Sequence, residues 1–282
     1  MKNNFIDKKL NTVIEELKEH NLVKNSLFSY VAGSIFEGFG NQKSDIDIFI
    51  IYDVNYNDLI SKLRFSENDK NANLTINQNI LTYNFFVKSY RIDCEIYSLF
   101  TIEKYIEKLN KIVTFQEDNL ISGQLEYKMI DFLHRIKYGM PIRNAGIFNT
   151  YKSKIDYTKI SYYQVVSCTE QISGLLEDIE GALQVNDNGT VFFMLRKLVY
   201  YVAFSFLATK GETNPSEKWL YLKFKRYAIE NDDFEFFDKY LELQSIAFVD
   251  SNQESFCRET MDFYQKISLL TQKFIYESQK NT

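Results

Sequence analysis

Proline is nearly missing from this chain, at 2 in 282 residues, and glycine is scarce at 10. Both residues interrupt regular elements, so their shortage excludes a collagen-like, linker-rich or turn-dominated chain and favours long unbroken helices. Cysteine numbers 3 and histidine 2, and none of Cys94, Cys168, Cys257, His20 and His134 falls at paired or metal-ligating spacing. That excludes a disulfide framework and a Cys/His zinc site, and it fits a reducing cytoplasm. A basic surface is lacking as well. The net charge is −5, divided evenly as −2 over residues 1–110 and −3 over the remainder, which disfavours long nucleic acid as a partner. Residues 1–19 mix Lys, Glu and Asn with apolar residues, so no secretory segment is expected. The greasiest stretch, 191–208, contains Arg196 and Lys197 and is expected to be a buried helix, not a membrane span.

What is present is an ordinary core-forming composition, 45% hydrophobic, 16% aromatic and 25% charged, in a chain long enough for two domains. Phe5, Ile6, Leu10, Val13, Ile14 and Leu17 recur at helical spacing and predict an amphipathic N-terminal helix. Residues 27–31 read as a short strand that turns at Gly33-Ser34, and the run DIDIFIIY at 45–52 as a second strand. Tyr56, Leu59, Ile60 and Leu63 suggest a short helix, followed by an Asn-rich loop at 67–73. Residues 80–87 and 90–98, separated only by Lys88 and Ser89, form a natural antiparallel hairpin. From Thr101 the pattern turns helical, with Leu125, Met129, Phe132, Leu133 and Ile136 on one stripe. The expectation is an α+β protein: a mixed-sheet domain over 1–112 and an all-helical domain over 113–282 that closes a cleft.

The chemically informative segment is VAGSIFEGFGNQKSDIDIFI, residues 31–50. Gly33 permits close backbone approach to a ligand, and Ser34 offers a hydroxyl and the start of a short helix whose free amides favour phosphate. Asp45 and Asp47, two apart on a strand, point to one face, where their mutual repulsion calls for a cation. Magnesium suits oxygen ligands shared with substrate phosphates. YRIDCEIY at 90–97 places Asp93 and Glu95 on one strand face, and either could supply a third carboxylate.

Gly-Ser, a spacer of ten residues and Asp-x-Asp opening a strand resemble the signature of the nucleotidyltransferase superfamily that includes DNA polymerase β and the aminoglycoside nucleotidyltransferases. The resemblance implies transfer of a nucleoside monophosphate from a nucleoside triphosphate, ATP being the expected donor, to a hydroxyl with release of pyrophosphate. It also implies two magnesium ions held by Asp45, Asp47 and Asp93, with Gly33 and Ser34 at the phosphates. Asp93 is preferred to Glu95 because Arg91-Ile92-Asp93 resembles the polymerase β order at that strand, leaving Glu95 as a supporting or substrate-facing group. Helical C-terminal domains of this size accompany antibiotic-modifying relatives, so a small-molecule acceptor is expected. The alternatives are a protein- or RNA-directed nucleotidyltransferase, antitoxin-like or defence-related, and a non-catalytic nucleotide-binding module. The oligomeric state is left open.

In the helical half, Asn214, Pro215 and Glu217 predict a capped helix start. Lys218 and Lys225 then share nearly one face, and Lys218 resembles the lysine with which related enzymes hold the triphosphate; a solvated basic face is the alternative. Trp219 is expected in the core or at an interface, and Arg196 with Lys197 either at a cleft or in an internal salt bridge. His20 and His134 are expected at the surface, and the cysteines as buried small apolar groups.

Overall fold

Val13, Ile14 and Leu17 form the buried stripe of the first helix, α1 (Asn4–Glu19), as their spacing predicts. A short helix α2 (Asn21–Lys24) follows, started by His20, whose Nδ1 accepts the Leu22 amide at 3.3 Å. The computed structural model describes residues 4–41, 43–55, 58–59, 63, 73–77, 80–112, 121, 124–249 and 253–280. The helix expected around Tyr56 to Leu63 and the loop at 67–73 lie largely outside them.

The strands are β1 (Phe28–Ala32), β2 (Ile46–Tyr52), β3 (Asn73–Asn77), β4 (Ile80–Val87), β5 (Tyr90–Ser98) and β6 (Met140–Arg143). They form one mixed sheet in the order β3-β4-β5-β2-β1-β6. β2 and β5 run parallel, and the other neighbouring pairs are antiparallel. The hairpin joining β4 to β5 turns at Lys88 and Ser89, with Lys88 in the left-handed region at φ 56°.

Period-two alternation gives the sheet two different faces. Ile46, Ile48 and Ile50, beside Ile92, Cys94 and Ile96, share a core with Val13, Ile14, Leu17, Leu22 and Val23 of the first two helices. The opposite face carries Tyr30, Phe49 and Tyr97, which pack under Phe132 and Phe148. Ring centroids lie 4.9 Å apart for Tyr30 and Phe49, 4.6 Å for Tyr97 and Phe132, and 5.1 Å for Tyr30 and Phe148. Phe132 and Phe148 belong to α4 (Tyr127–Tyr138) and α5 (Ala145–Ser153), while α3 (Leu99–Asn110) continues directly from β5.

β6 departs from the all-helical second half expected after Thr101. Its four residues are too few to show a period, and Pro141, which has no N–H to donate, is accommodated because β6 is an edge strand. Gly139 admits it to the sheet: a Cβ there would come within 2.6 Å of the Tyr30 ring.

The chain forms two compact units, Met1–Leu109 with Asp131–Ile155, and Asn110–Ile130 with Asp156–Thr282. The expected division at residue 112 lies near the first crossing, but the chain then re-enters the sheet unit to supply β6 and most of α4.

The second unit holds α6 (Tyr157–Gln184), α7 (Asn188–Thr209), α8 (Leu220–Asn231), α9 (Glu235–Ser245) and α10 (Gln253–Lys280). By length and composition α7 is apolar enough to cross a membrane, its arginine and lysine notwithstanding. Here Leu195, Leu198, Val199, Val202 and Ala203 are buried in the core of this unit instead. Among the described residues Arg196 forms no salt bridge: its guanidinium donates to the Ile246 carbonyl and lies 4.9 Å over the Phe192 ring. Cys94 and Cys168 are buried and Cys257 half-buried.

The helix start expected at Asn214 is displaced. Asn214 Oδ1 caps a turn by accepting the Ser216 amide at 2.9 Å, one 3-10 turn spans Glu217–Trp219, and α8 begins at Leu220. The cause is that the backbone at 213–214 is engaged elsewhere. Gln164 Nε2 donates to the Thr213 carbonyl at 3.0 Å, and the buried Lys223 Nζ donates to the Asn214 carbonyl at 2.7 Å.

Candidate active site

The parallel pairing of β2 with β5 sets Asp47 opposite Asp93 and Phe49 opposite Glu95. Alternation then places all four on the aromatic face, with the two aspartates toward its open end. Asp45 immediately precedes β2 and is half-buried. The predicted acids are thus brought to one end of one face, Asp47 and Asp93 in direct register.

Two arginines supply the countercharge. Arg91 Nε lies 3.0 Å from Asp93 Oδ1, and Arg91 Nη1 reaches within 4.0 Å of Asp45 Oδ2. Arg135 of α4 brings Nη1 to 3.1 Å from Asp47 Oδ2, while its Nε donates to Asp131 Oδ2 at 2.8 Å. Its guanidinium also lies 5.5 Å from the centre of the Phe49 ring. Neither the Arg91–Asp93 nor the Arg135–Asp47 approach is aligned as a hydrogen bond, so both are ion pairs of distance only.

Burial dominates the titration of the acids. The Asp47 carboxyl is pushed up to about 6, chiefly by desolvation; Arg135 pulls it back and the charges of Asp93 and Glu95 push it further. Asp93 is raised by burial, with Arg91 opposing and Asp45 and Glu95 adding repulsion. Glu95 accepts a 2.5 Å hydrogen bond from the hydroxyl of the fully buried Tyr97, which holds its carboxylate along the strand face.

Gly33 is required by both conformation and space. Its φ of +87° is left-handed, and a Cβ would sit 1.8 Å from Asp47 Oδ2. The backbone therefore closes directly against the carboxylate, a contact the sequence reading assigned to a phosphate. Past it the expected short helix is reduced to hydrogen-bonded turns: the Phe36 and Glu37 amides donate to the Gly33 carbonyl and the Phe39 amide to that of Ser34. Ser34 is half-buried at the first of these turns.

His134 corrects the surface role expected of it. Its side chain is 0% exposed and that of Glu37 3%, with Nε2 3.2 Å from Glu37 Oε2. The pair fastens the turn after Ser34 to α4, the same helix that carries Asp131 and Arg135. Arg135 and Asp131 were missed by sequence reasoning. Their i, i+4 acid-to-base spacing was visible, but nothing in the spacing linked them to Asp47. Glu37 lies inside the Gly-Ser to Asp-x-Asp spacer, where no spacing singles it out.

Lys218 and Lys225 belong to the second unit and are exposed. Lys218 Nζ lies 4.7 Å over the ring of the half-buried Trp219, and Lys225 Nζ 6.0 Å over that of Tyr221. Among the described residues no three His, Cys, Asp or Glu side chains are arranged to hold a metal ion; Asp45 instead faces Arg91.

No curated protein matches the chain. Among solved structures it is similar to a nucleotidyltransferase-like protein from Exiguobacterium sibiricum, at 10% identity and a TM-score of 0.46, over 98% of this chain and 80% of that one. Residues 10–126 match the nucleotidyltransferase domain family. That match spans Gly33, Ser34, Asp45, Asp47 and Asp93, and it ends before Arg135. The segment that carries the paired aspartates of β2 and β5 is thus similar to the nucleotidyltransferase domain family.

Proposed function

We propose that the protein transfers a nucleoside monophosphate from a nucleoside triphosphate, ATP in the first instance, to a hydroxyl of a small-molecule acceptor and releases pyrophosphate. The observation that carries this reading is the in-register pairing of Asp47 and Asp93 against the Gly33 backbone. The donor set fits a hard divalent cation: oxygen ligands only, side by side, with both carboxyls raised by burial and mutual repulsion that a cation relieves. Asp45, Asp47 and Asp93 would hold magnesium, with Arg91 leaving Asp45 and Asp93 to make room. When bound, magnesium neutralises charge developing on the phosphoryl oxygens.

The remaining roles fall to the chain itself. Asp93, made more basic by burial, accepts the proton of the attacking hydroxyl. Ser34 presents its hydroxyl to the triphosphate at the turn that Glu37 and His134 fasten. The net charge of −5 supports a small acceptor over a long nucleic acid, and the free cysteines support a cytoplasmic setting.

The test is pyrophosphate release with each nucleoside triphosphate, magnesium and a panel of hydroxylated acceptors. Asp47→Ala and Asp93→Asn are expected to lower turnover by roughly three orders of magnitude or more. Glu95→Gln, whose partner is Tyr97, should cost about tenfold or less. Turnover by a folded Asp47→Ala protein close to wild type would remove the assignment, and a greater loss in Glu95→Gln than in Asp93→Asn would transfer the base role to Glu95.

A further inference from the structure

The sheet face that carries Asp47 and Asp93 continues past them onto β4. Register sets Asn84 opposite Asp93, Thr82 opposite Glu95 and Phe86 opposite Arg91. Leu81, Tyr83 and Phe85 enter the core shared with α1, so alternation turns Thr82, Asn84 and Phe86 to the side of the paired aspartates. Thr82 and Asn84 are half-buried, while Phe86 is 59% exposed. Asn84 Oδ1 is buried without a hydrogen-bond partner, a cost that folded proteins ordinarily avoid. An exposed aromatic ring thus stands next to an unsatisfied amide oxygen at the edge of the candidate site.

We propose that β4 is the acceptor platform and that the acceptor is a cyclic polyol, a sugar or cyclitol ring. The inference rests on the transfer reading given above. The strand order β4-β5-β2-β1 puts β4 and the Gly33-Ser34 turn, which follows β1, on opposite sides of the Asp47–Asp93 pair. In an in-line displacement the attacking oxygen bonds the α-phosphorus from the side opposite the departing pyrophosphate, whose bond to that phosphorus breaks. With the triphosphate at the turn, the hydroxyl arrives from β4 and its proton passes to Asp93. The chemistry of the strip selects the acceptor class. One aromatic face among an amide, a hydroxyl, a carboxylate and a guanidinium suits a ligand with a flat apolar face and a polar edge. A ring polyol has both: its C–H face lies on Phe86 and its hydroxyls meet Asn84 and Thr82. A purely aromatic acceptor would strip water from those polar groups without replacing it. Phe86 and Asn84 are about 7 Å apart along the strand, the scale of one hydroxylated six-membered ring.

The experiment uses the full chain and a panel of methyl glycosides and inositols, with glycerol as the acyclic control and phenol as the aromatic one. Binding is read by saturation-transfer nuclear magnetic resonance, and ATP affinity by calorimetry on the same proteins. Wild type is expected to saturate the ring C–H protons of at least one cyclic polyol and to prefer it to both controls. Phe86→Ala, at an exposed position, should weaken that binding by about tenfold, and Phe86→Tyr, which keeps the ring, should leave it near wild type. Asn84→Leu, of similar volume but without the amide, should also cost about tenfold. ATP affinity should stay unchanged in all three. A wild type that binds no cyclic polyol, or folded Phe86→Ala and Asn84→Leu variants that bind it as wild type does, overturns the inference and leaves the transfer reading standing. Polyol binding that depends on Phe86, in a protein that releases pyrophosphate from no triphosphate, removes the transfer reading and the acceptor role with it, and leaves β4 as a polyol-binding surface.

Discussion

Ionising Asp47 opposes folding, and the sign follows from its raised carboxyl. Unfolded, the group titrates near 3.8; in the folded protein it is pushed up to about 6. Below about pH 4 both states hold the proton and the difference vanishes. Between about pH 4 and 6 the unfolded chain gives up the proton that burial makes the folded state keep, so stability falls across that window and levels off above it. In metal-free protein, Asp47→Asn should therefore be more stable than wild type by about 1–3 kcal/mol at pH 7.5, and by almost nothing near pH 4. Urea unfolding with chelator at the two pH values checks this; a variant less stable at pH 7.5 would show that the Arg135 pair outweighs desolvation. Asp45, Asp47 and Asp93 could be picked out of the sequence because acids are out of place in an apolar strand and a period of two shows which way they point. Arg135 could not, because a helical Asp131–Arg135 pair looks the same whether it is solvated or reaches across to a strand 88 residues earlier.

Helix α4 organises the sheet end through three neighbouring positions. Arg135, braced by Asp131, faces Asp47, and His134 faces Glu37 in the turn after Ser34. Truncating His134 leaves a carboxyl buried without that partner and opens a space beside it, so His134→Ala should lower stability by about 3 kcal/mol. Denaturant unfolding measures it, and a change below about 1 kcal/mol would mean that Glu37 is satisfied without the histidine. The histidine's burial was not legible because a lone His on a helix reads as polar until the opposing Glu37 is known. Elements with a strong period were legible: α1, the β4–β5 hairpin and the buried α7. Those set by distant backbone bonds were not, as at Asn214, where Gln164 and Lys223 hold the carbonyls of 213 and 214 and delay α8 to Leu220.

The sheet unit is assembled from two separated stretches of chain, and this decides which fragments can fold. A chain ending at residue 112 would retain β1 to β5 but lose β6, turning the fully buried strand Phe28–Ala32 into an open edge. It would also lose Phe132 and Phe148, 0% and 1% exposed, which cover Tyr30, Phe49 and Tyr97. Each buried phenylalanine contributes about 1.5–3 kcal/mol, so their joint loss alone approaches the whole stability of a small domain. A chain ending at residue 155 restores β6, α4 and α5, and with them Arg135 behind Asp47. The 1–155 fragment is therefore expected to unfold in one cooperative transition, and the 1–112 fragment to show none and to associate through its exposed edge. Far-ultraviolet circular dichroism melts with sedimentation of both fragments distinguish the cases. A sharp transition in a monomeric 1–112 chain would mean that the five N-terminal strands and their first two helices already form a sufficient core, and that α4 and β6 are additions to it.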